Sequence, residues 1–220
     1  MLQHVWERTC QARYLTDVVI ATDDERIRSA AEEFRARVVM TRSDHASGTD
    51  RVAEAASASQ AQIIVNVQGD EPMIDPAAID AAILGLLDDE RGEVSMGTIK
   101  KRIERPADIQ DPNVVKVVTD AQGNALYFSR SPIPYARDAS DAPAYFKHIG
   151  LYVYRREFLL AYPDLPVGPL ERAERLEQLR ALENGHRIRV VETEYESLGV
   201  DTPEDWKQVA ELFEKPMVNL

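Results

Sequence analysis

Four short apolar runs in the first hundred residues alternate with stretches that carry helix-start signals. The runs are 17–21, 38–40, 63–67 and 94–100. After the first run, Thr22 or Asp23 is placed to cap a helix that extends to about Phe34. After the third, Asp75-Pro76 opens a helix with proline in its first turn. Strands that alternate with helices form a parallel sheet with right-handed crossovers, so this half of the chain predicts an α/β fold.

The middle of the chain departs from that alternation. Residues 114–119 and 125–129 flank the turn sequence Asp120-Ala121-Gln122-Gly123-Asn124, which is typical of a hairpin. A third strand is predicted over 146–154. We therefore expect an antiparallel insertion, or an edge extension of the sheet, around 110–155.

The two ends of the chain are predicted to be mainly helical. A helix over 1–14 opens the chain, with no strand before it. A helix over 170–184 ends at Gly185, a strand follows over 188–192, and a last helix covers 203–213. We find no repeat or linker, so residues 1–220 are interpreted as a single domain.

Charge and cysteine content exclude several classes of protein. The 220 residues carry a formal net charge of −12, which disfavours binding to nucleic acid or to an anionic membrane. No apolar run is long enough to span a bilayer. With Cys10 as the one cysteine, no internal disulfide is possible, and we expect a cytoplasmic protein.

Two acidic motifs follow apolar segments at opposite ends of the chain. They are Gln68-Gly69-Asp70-Glu71-Pro72 and Gly199-Val200-Asp201-Thr202-Pro203-Glu204-Asp205. Ligands of α/β sheets bind at the carboxyl ends of strands, and carboxylates without a Cys/His cluster suit Mg²⁺. Asp70 is equally well interpreted as a turn residue. Asp201 taken alone is better interpreted as a helix cap.

Further polar side chains lie in loops or on strands where a ligand is accessible. Arg51 is placed to reach phosphate, and Arg130 suits bidentate binding of a carboxylate. On these residues alone, a plain capped loop is the better interpretation of 43–51, and a structural role is the better interpretation of His148. Glu177 and Gln178 lie in a segment whose acids and arginines mostly form a solvated helix face. The sequence has no Walker A motif, no G-x-G-x-x-G, no zinc pattern and no nucleophile elbow.

Taken in order, these motifs resemble the 3-deoxy-manno-octulosonate cytidylyltransferases, which make CMP-Kdo from CTP and Kdo for lipopolysaccharide. The similar segments are 21–23, 44–51, 65–72, 111–116, 125–130, 148–152, 169–171, 176–180 and 199–205. The resemblance implies a Rossmann-like, mostly parallel sheet flanked by helices, of the nucleotide-diphospho-sugar transferase type. It also implies a homodimer formed through the antiparallel section.

The resemblance assigns roles to particular residues. It implies that Asp70 and Asp201 are catalytic and hold Mg²⁺, with a second Mg²⁺ accompanying the triphosphate. The positions implied to bind the sugar are Gln68, Arg130, His148, Tyr152, Glu177 and Gln178. The positions implied to bind the nucleotide are Ser47, Gly48, Thr49 and Arg51.

One departure from the family leaves alternatives open. Family members begin with a strand and a phosphate-binding loop rich in Arg, Ser, Gly and Lys, whereas Met1 falls where their first helix starts. A start codon assigned too late is the simplest explanation, and we expect the 220-residue chain alone to turn over poorly. The alternatives are a non-catalytic remnant of the family, or a cytidylyltransferase for another acidic sugar such as sialic acid.

Overall fold

The computed structural model describes residues 1–138, 143–200 and 202–214, with side chains through residue 213. Its helices are α1 (Leu2–Thr9), α2 (Glu25–Glu33), α3 (Gly48–Ser57), α4 (Pro76–Leu87), α5 (Pro106–Gln110), α6 (Arg156–Ala161), α7 (Pro169–Glu174), α8 (Gln178–Glu183) and α9 (Pro203–Glu214). Its strands are β1 (Val19–Thr22), β2 (Arg37–Met40), β3 (Ile63–Asn66), β4 (Val94–Arg102), β5 (Lys116–Thr119), β6 (Ala125–Ser129), β7 (Phe146–Arg155) and β8 (Arg187–Glu192). A short 3-10 helix covers Tyr162–Asp164.

The strands form a two-stranded and a six-stranded sheet. β1 and β2 pair in parallel, as predicted. The larger sheet has the order β6-β5-β7-β4-β8, with β3 also paired to β7. Strands β3, β4 and β5 are antiparallel to β7, and β8 is parallel to β4. Most strands of this sheet therefore share one direction, and the predicted α/β class is confirmed.

On one of its two sides, strand β7 pairs with two different strands, β3 and β5. β3 pairs with Tyr152–Arg155, and β5 pairs at Lys147. Residues 148–151 lie between these two pairings, past the last paired residue of β3. The third strand of the middle section is thus inside the sheet instead of extending its edge. The hairpin of β5 and β6 is confirmed.

Side chains from both faces of the sheet are buried against helices. Because neighbouring residues of a strand point to opposite faces, Val153 and Tyr154 enter different clusters, at 0% and 1% exposure. Val153 packs with α4 residues such as Ile79, whereas Tyr154 packs with Phe158 and Leu179. Helices on both faces give the layered architecture of an α/β protein.

Several helix boundaries differ from the sequence prediction. α1 ends at Thr9 instead of residue 14. The α2 cap is Asp24, whose carboxylate accepts from the amide of Arg26, and not Thr22 or Asp23. Asp75 caps α4 as predicted.

The prediction of a single helix over 170–184 is wrong. It is divided into α7 and α8, because Arg175 adopts the left-handed conformation with a φ of 53°. Few non-glycine residues adopt that conformation, and sequence periodicity does not signal it. The predicted stop at Gly185 is confirmed, with a φ of +81°.

No helix within the described ranges is long and apolar enough to cross a membrane.

Candidate functional site

The turn 67–72 brings the first acidic motif to the side of β7 that pairs with β3 and β5. The last pairing of β3 joins Asn66 to Tyr152, so the chain leaving β3 runs alongside residues 148–151. A Cβ on Gly150 would lie 3.9 Å from Gln68 Cγ. The predicted residues Gln68, His148 and Tyr152 are thereby placed in one region.

Backbone contact brings the second acidic motif to the first. The amide of Val200 donates to the carbonyl of Asp70 at 2.9 Å, across 130 positions of sequence. Asp201, the predicted partner of Asp70, lies outside the described residues. Within the described ranges, no three His, Cys, Asp or Glu side chains gather closely enough to hold a metal ion.

Three predicted sugar-side residues meet beside β7. The hydroxyl of Tyr152 donates to Gln178 Oε1 at 3.2 Å. Gln178 is 3% exposed, and its Nε2 is buried without a hydrogen-bond acceptor among the described residues. A buried donor left unpaired costs free energy, which an incoming acceptor would recover. Glu177 immediately precedes Gln178, and its carbonyl accepts from Tyr162 at 2.6 Å.

His148 is held in a largely apolar environment. Its Nε2 lies 2.9 Å from Thr98 Oγ1, and its ring contacts Phe128 and Tyr152 with centroids 5.0 and 5.5 Å away. Burial lowers the pKa of His148 to about 3, because the charged ring would lose its hydration. Near neutral pH the ring of His148 is therefore uncharged, and it can act only as a neutral hydrogen-bonding group.

Arg130 is fixed at the end of β6 by contacts on both its backbone and its guanidinium. Its amide donates to Glu174 Oε2 at 2.9 Å, and its Nε donates to the Glu174 carbonyl at 2.8 Å. Its Nη1 donates to the Pro112 carbonyl at 3.0 Å. Lys116 Nζ donates to the Arg130 carbonyl at 2.6 Å. Arg130 is thus oriented before any ligand binds.

The predicted nucleotide loop forms the start of α3. Ser47 caps the helix by accepting from the amide of Asp50 at 3.2 Å. A Cβ on Gly48 would meet no atom within 4 Å, so this position faces open space. Thr49 is 4% exposed and donates to Glu177 Oε2 at 2.8 Å. The nucleotide and sugar sides predicted from the sequence are therefore joined.

Arg51 is paired within the protein. Its Nη1 lies 3.0 Å from Asp23 Oδ1 and donates to Thr41 Oγ1 at 2.6 Å. These contacts hold the guanidinium between the end of β1 and the loop after β2. A phosphate at this position would share the guanidinium with Asp23.

Sequence reasoning missed several residues that support this site. Thr98 fixes His148, Glu174 fixes Arg130, and Lys116 ties three backbone carbonyls together. Tyr195 and Ser197 both donate to Glu71. Thr98, Glu174, Tyr195 and Ser197 act through contacts with segments distant in sequence, whereas Lys116 lies in the similar segment 111–116 and binds carbonyls 2 to 14 positions away.

A cavity of about 430 Å³ opens on another face of α3. Its lining includes Arg42, His45, Asp50, Glu54 and Leu160. None of the predicted site residues lines it, although its lining residues Arg42 and Asp50 form hydrogen bonds with Arg51 and Ser47 of the nucleotide loop.

A family model described as cytidylyltransferase matches residues 1–188, and the chain belongs to this class of nucleotidyltransferases. Over 213 residues it is 70% identical to a 3-deoxy-manno-octulosonate cytidylyltransferase of Solibacter usitatus (strain Ellin6076), with 97% of this chain and 84% of the relative covered. The chain is 58% identical to the enzyme of the same name from Geobacter sulfurreducens (strain ATCC 51573 / DSM 12127 / PCA), with 96% of this chain and 88% of that relative covered. Within its class, the chain is a member of the 3-deoxy-manno-octulosonate cytidylyltransferase family.

A solved structure has the same fold. It is a CMP:2-keto-3-deoxy-manno-octonic acid synthetase complexed with CTP, 43% identical, with a TM-score of 0.91. The match covers 97% of this chain and 87% of that one. The resemblance identified from the motifs is thereby confirmed.

Proposed function

We propose that this chain transfers CMP from CTP to 3-deoxy-D-manno-octulosonate (Kdo), giving CMP-Kdo and pyrophosphate. The observation that carries the proposal is the hydrogen bond from Thr49 to Glu177, which joins the nucleotide loop to the sugar-side cluster. In the reaction, the anomeric hydroxyl of Kdo attacks the α-phosphorus of CTP and pyrophosphate leaves. Such a transfer depends mainly on positioning the reactants and neutralising charge.

Asp70 and Asp201 would hold Mg²⁺. Their carboxylate oxygens match the preference of this ion. The bond from Val200 to Asp70 supports the assignment, because Asp201 follows Val200 directly in the sequence. Mg²⁺, when bound, lowers the pKa of the sugar hydroxyl and neutralises phosphate charge.

The remaining residues bind and orient the substrates. Gln178 Nε2 is a buried donor available to a sugar oxygen, and Tyr152 holds its amide in place. Arg130, oriented by Glu174, binds the sugar carboxylate. Gln68, His148 and Glu177 complete the sugar side. The open position at Gly48, with Ser47 and Arg51 nearby, receives the nucleotide.

The test is pyrophosphate release from CTP with Kdo, measured for the natural chain and for Asp70→Asn. We expect the substitution to abolish Mg²⁺-dependent release while circular dichroism shows an unchanged fold. Asp88→Asn is the matched control, because Asp88 is exposed at the end of α4 and is not one of the predicted site residues. Near-full release by Asp70→Asn would remove this residue from the metal site.

A substrate panel separates the alternatives. We expect more release with CTP and Kdo than with sialic acid or with other nucleoside triphosphates. If the chain is inactive alone, the assay is repeated with an N-terminal extension taken from the upstream reading frame. Inactivity of both forms, in preparations that bind CTP, would favour a non-catalytic member of the family.

We also propose a cytoplasmic homodimer formed through the antiparallel section. In support, Leu126 is 62% exposed on β6, the terminal strand of the larger sheet. Light scattering of the natural chain and of Leu126→Lys tests this assembly. A monomer in both cases would contradict it.

A further inference from the structure

Residues 193–200 form no helix or strand, and this connecting segment leads from β8 into the second acidic motif, whose first residues are Gly199 and Val200. Two side chains of the connecting segment reach the first acidic motif. The hydroxyl of Tyr195 donates to Glu71 Oε2 at 2.7 Å, and the hydroxyl of Ser197 donates to Glu71 Oε1. One carboxylate thus holds two alternate residues of this connecting segment.

Glu196, which lies between Tyr195 and Ser197, binds two lysines of the larger sheet. Glu196 Oε2 lies 2.9 Å from Lys101 Nζ on β4, and its other oxygen contacts Lys147 on β7. Successive side chains of an extended chain point in opposite directions, which explains why residues 195 and 197 bind one partner and residue 196 another. The connecting segment is therefore fixed on two sides before it reaches Val200.

The segment ends against the proposed metal site. The amide of Val200 donates to the Asp70 carbonyl, and Glu71 is the next residue after Asp70. A Cβ on Gly199 would lie 3.9 Å from Glu71 Oε1. One backbone bond thus joins the two acidic motifs directly, and the Glu71 carboxylate holds the segment that leads into the second motif.

We propose that Glu71 is a positioning residue that, through Tyr195 and Ser197, sets the distance between the two acidic motifs and thereby the affinity of the metal site. Both carboxylate oxygens of Glu71 accept from hydroxyls of the connecting segment, so Glu71 acts on that segment directly. Tyr195 is 7% exposed, which strengthens its hydrogen bond by excluding water. This inference rests on the proposed function, because it presumes that Asp70 and Asp201 bind the ion.

The experiment compares Tyr195→Phe/Ser197→Ala with the natural chain. Mn²⁺, which takes the same oxygen ligands as Mg²⁺, is titrated alone and followed by electron paramagnetic resonance. Amide hydrogen exchange over residues 193–200 is measured on the metal-free protein. The matched control is Tyr14→Phe/Ser29→Ala, because Tyr14 is 51% exposed and Ser29 donates only within its own helix.

We expect faster exchange over 193–200 in the double variant and an Mn²⁺ dissociation constant raised about tenfold. The control should match the natural chain in both measurements. Ser197→Thr, which keeps a hydroxyl, should retain the natural affinity. If the double variant does not fold, Ser197→Ala alone should show a smaller rise of the same kind.

Two outcomes would overturn the inference without touching the proposed function. One is faster exchange with unchanged Mn²⁺ affinity, which would make the contacts merely structural. The other is unchanged exchange and affinity. In both, Asp70→Asn must still weaken Mn²⁺ binding. If Asp70→Asn binds Mn²⁺ as the natural chain does, the proposed metal site fails and this inference falls with it.

Discussion

Thr49 and Glu177, separated by 128 positions, share a hydrogen bond of 2.8 Å between Oγ1 and Oε2. Thr49 belongs to the first turn of α3, and Glu177 immediately precedes α8. The bond fixes the nucleotide loop relative to the sugar-side cluster. It also occupies a Glu177 oxygen, so Glu177 acts in part by holding the two sides together.

Replacing Thr49 with valine should weaken binding on both sides of the site. The substitution keeps the shape but leaves a Glu177 oxygen without its donor, at a cost of about 1–3 kcal/mol. We expect the dissociation constant for CTP and the KM for Kdo both to rise. Calorimetry and pyrophosphate release measure these quantities. Thr49→Ser keeps the hydroxyl and should restore both, and a rise in only one of them would contradict the coupling.

The buried pair of Glu171 and Arg180 should be essential to the stability of α7 and α8. Arg180 donates to both Glu171 oxygens, at 2.9 and 2.6 Å, and the side chains are 8% and 10% exposed. Glu171→Ala leaves a buried, unpaired charge, and we expect the free energy of unfolding to fall by about 3–5 kcal/mol.

Urea denaturation measures that loss. Glu25→Ala removes a carboxylate from an exposed pair with Arg28 and should cost less than about 1 kcal/mol. A similar cost for both substitutions would show that burial does not decide the strength of the Glu171 pair.

His148 should make the protein less stable as the pH is lowered below neutrality. Its pKa is about 3 in the folded protein, against about 6.5 for an unperturbed histidine. Below pH 6.5 the unfolded chain therefore binds a proton that the folded chain does not. The stability that comes from burying the neutral His148 ring is therefore fully present above pH 6.5, and it is lost progressively as the pH falls from 6.5 toward 3.

We expect a slope of at most about 1.4 kcal/mol per pH unit from this residue. Urea denaturation of His148→Asn between pH 7 and 5 should show a shallower loss than the natural chain. His4→Asn, at an exposed position of α1, should keep the natural slope. Parallel slopes for all three proteins would exclude His148 as the cause.

Lys116 should control the position of Arg130. It is 0% exposed and donates to the carbonyls of Asp111, Val114 and Arg130, and burial lowers its pKa. Lys116→Met removes three charge-assisted bonds, and we expect the free energy of unfolding to fall by more than the value of one such bond, which is about 1.5–3 kcal/mol. The KM for Kdo should also rise, because Arg130 is released.

Thermal unfolding and pyrophosphate release measure these two effects. Lys207→Met, at an exposed position of α9, is the control and should change neither. A destabilised Lys116→Met protein with an unchanged KM would limit Lys116 to a structural role.

The division of the predicted helix 170–184 shows where sequence reasoning failed. Periodicity and charge pairs favour one helix, since both α7 and α8 carry the same pattern. The interruption at Arg175 is stabilised by tertiary contacts, including the bond from Tyr162 to the Glu177 carbonyl. Only this interruption places Gln178 with its amide buried beside Tyr152.

The sequence by itself determined the α/β class, the hairpin and the family, because these depend on periodicity, turn residues and ordered motifs. It also named Thr49, Tyr152, Glu177 and Gln178, which the structure brings together. The tertiary structure decided that β7 lies inside the sheet, that Thr49 bonds to Glu177, and that Glu71 holds the connecting segment. The bonds of Thr49 and Glu71 join residues more than a hundred positions apart, and the pairings of β7 with β4 and β5 join residues about 30 to 60 positions apart. Local propensity carries no information about such pairs.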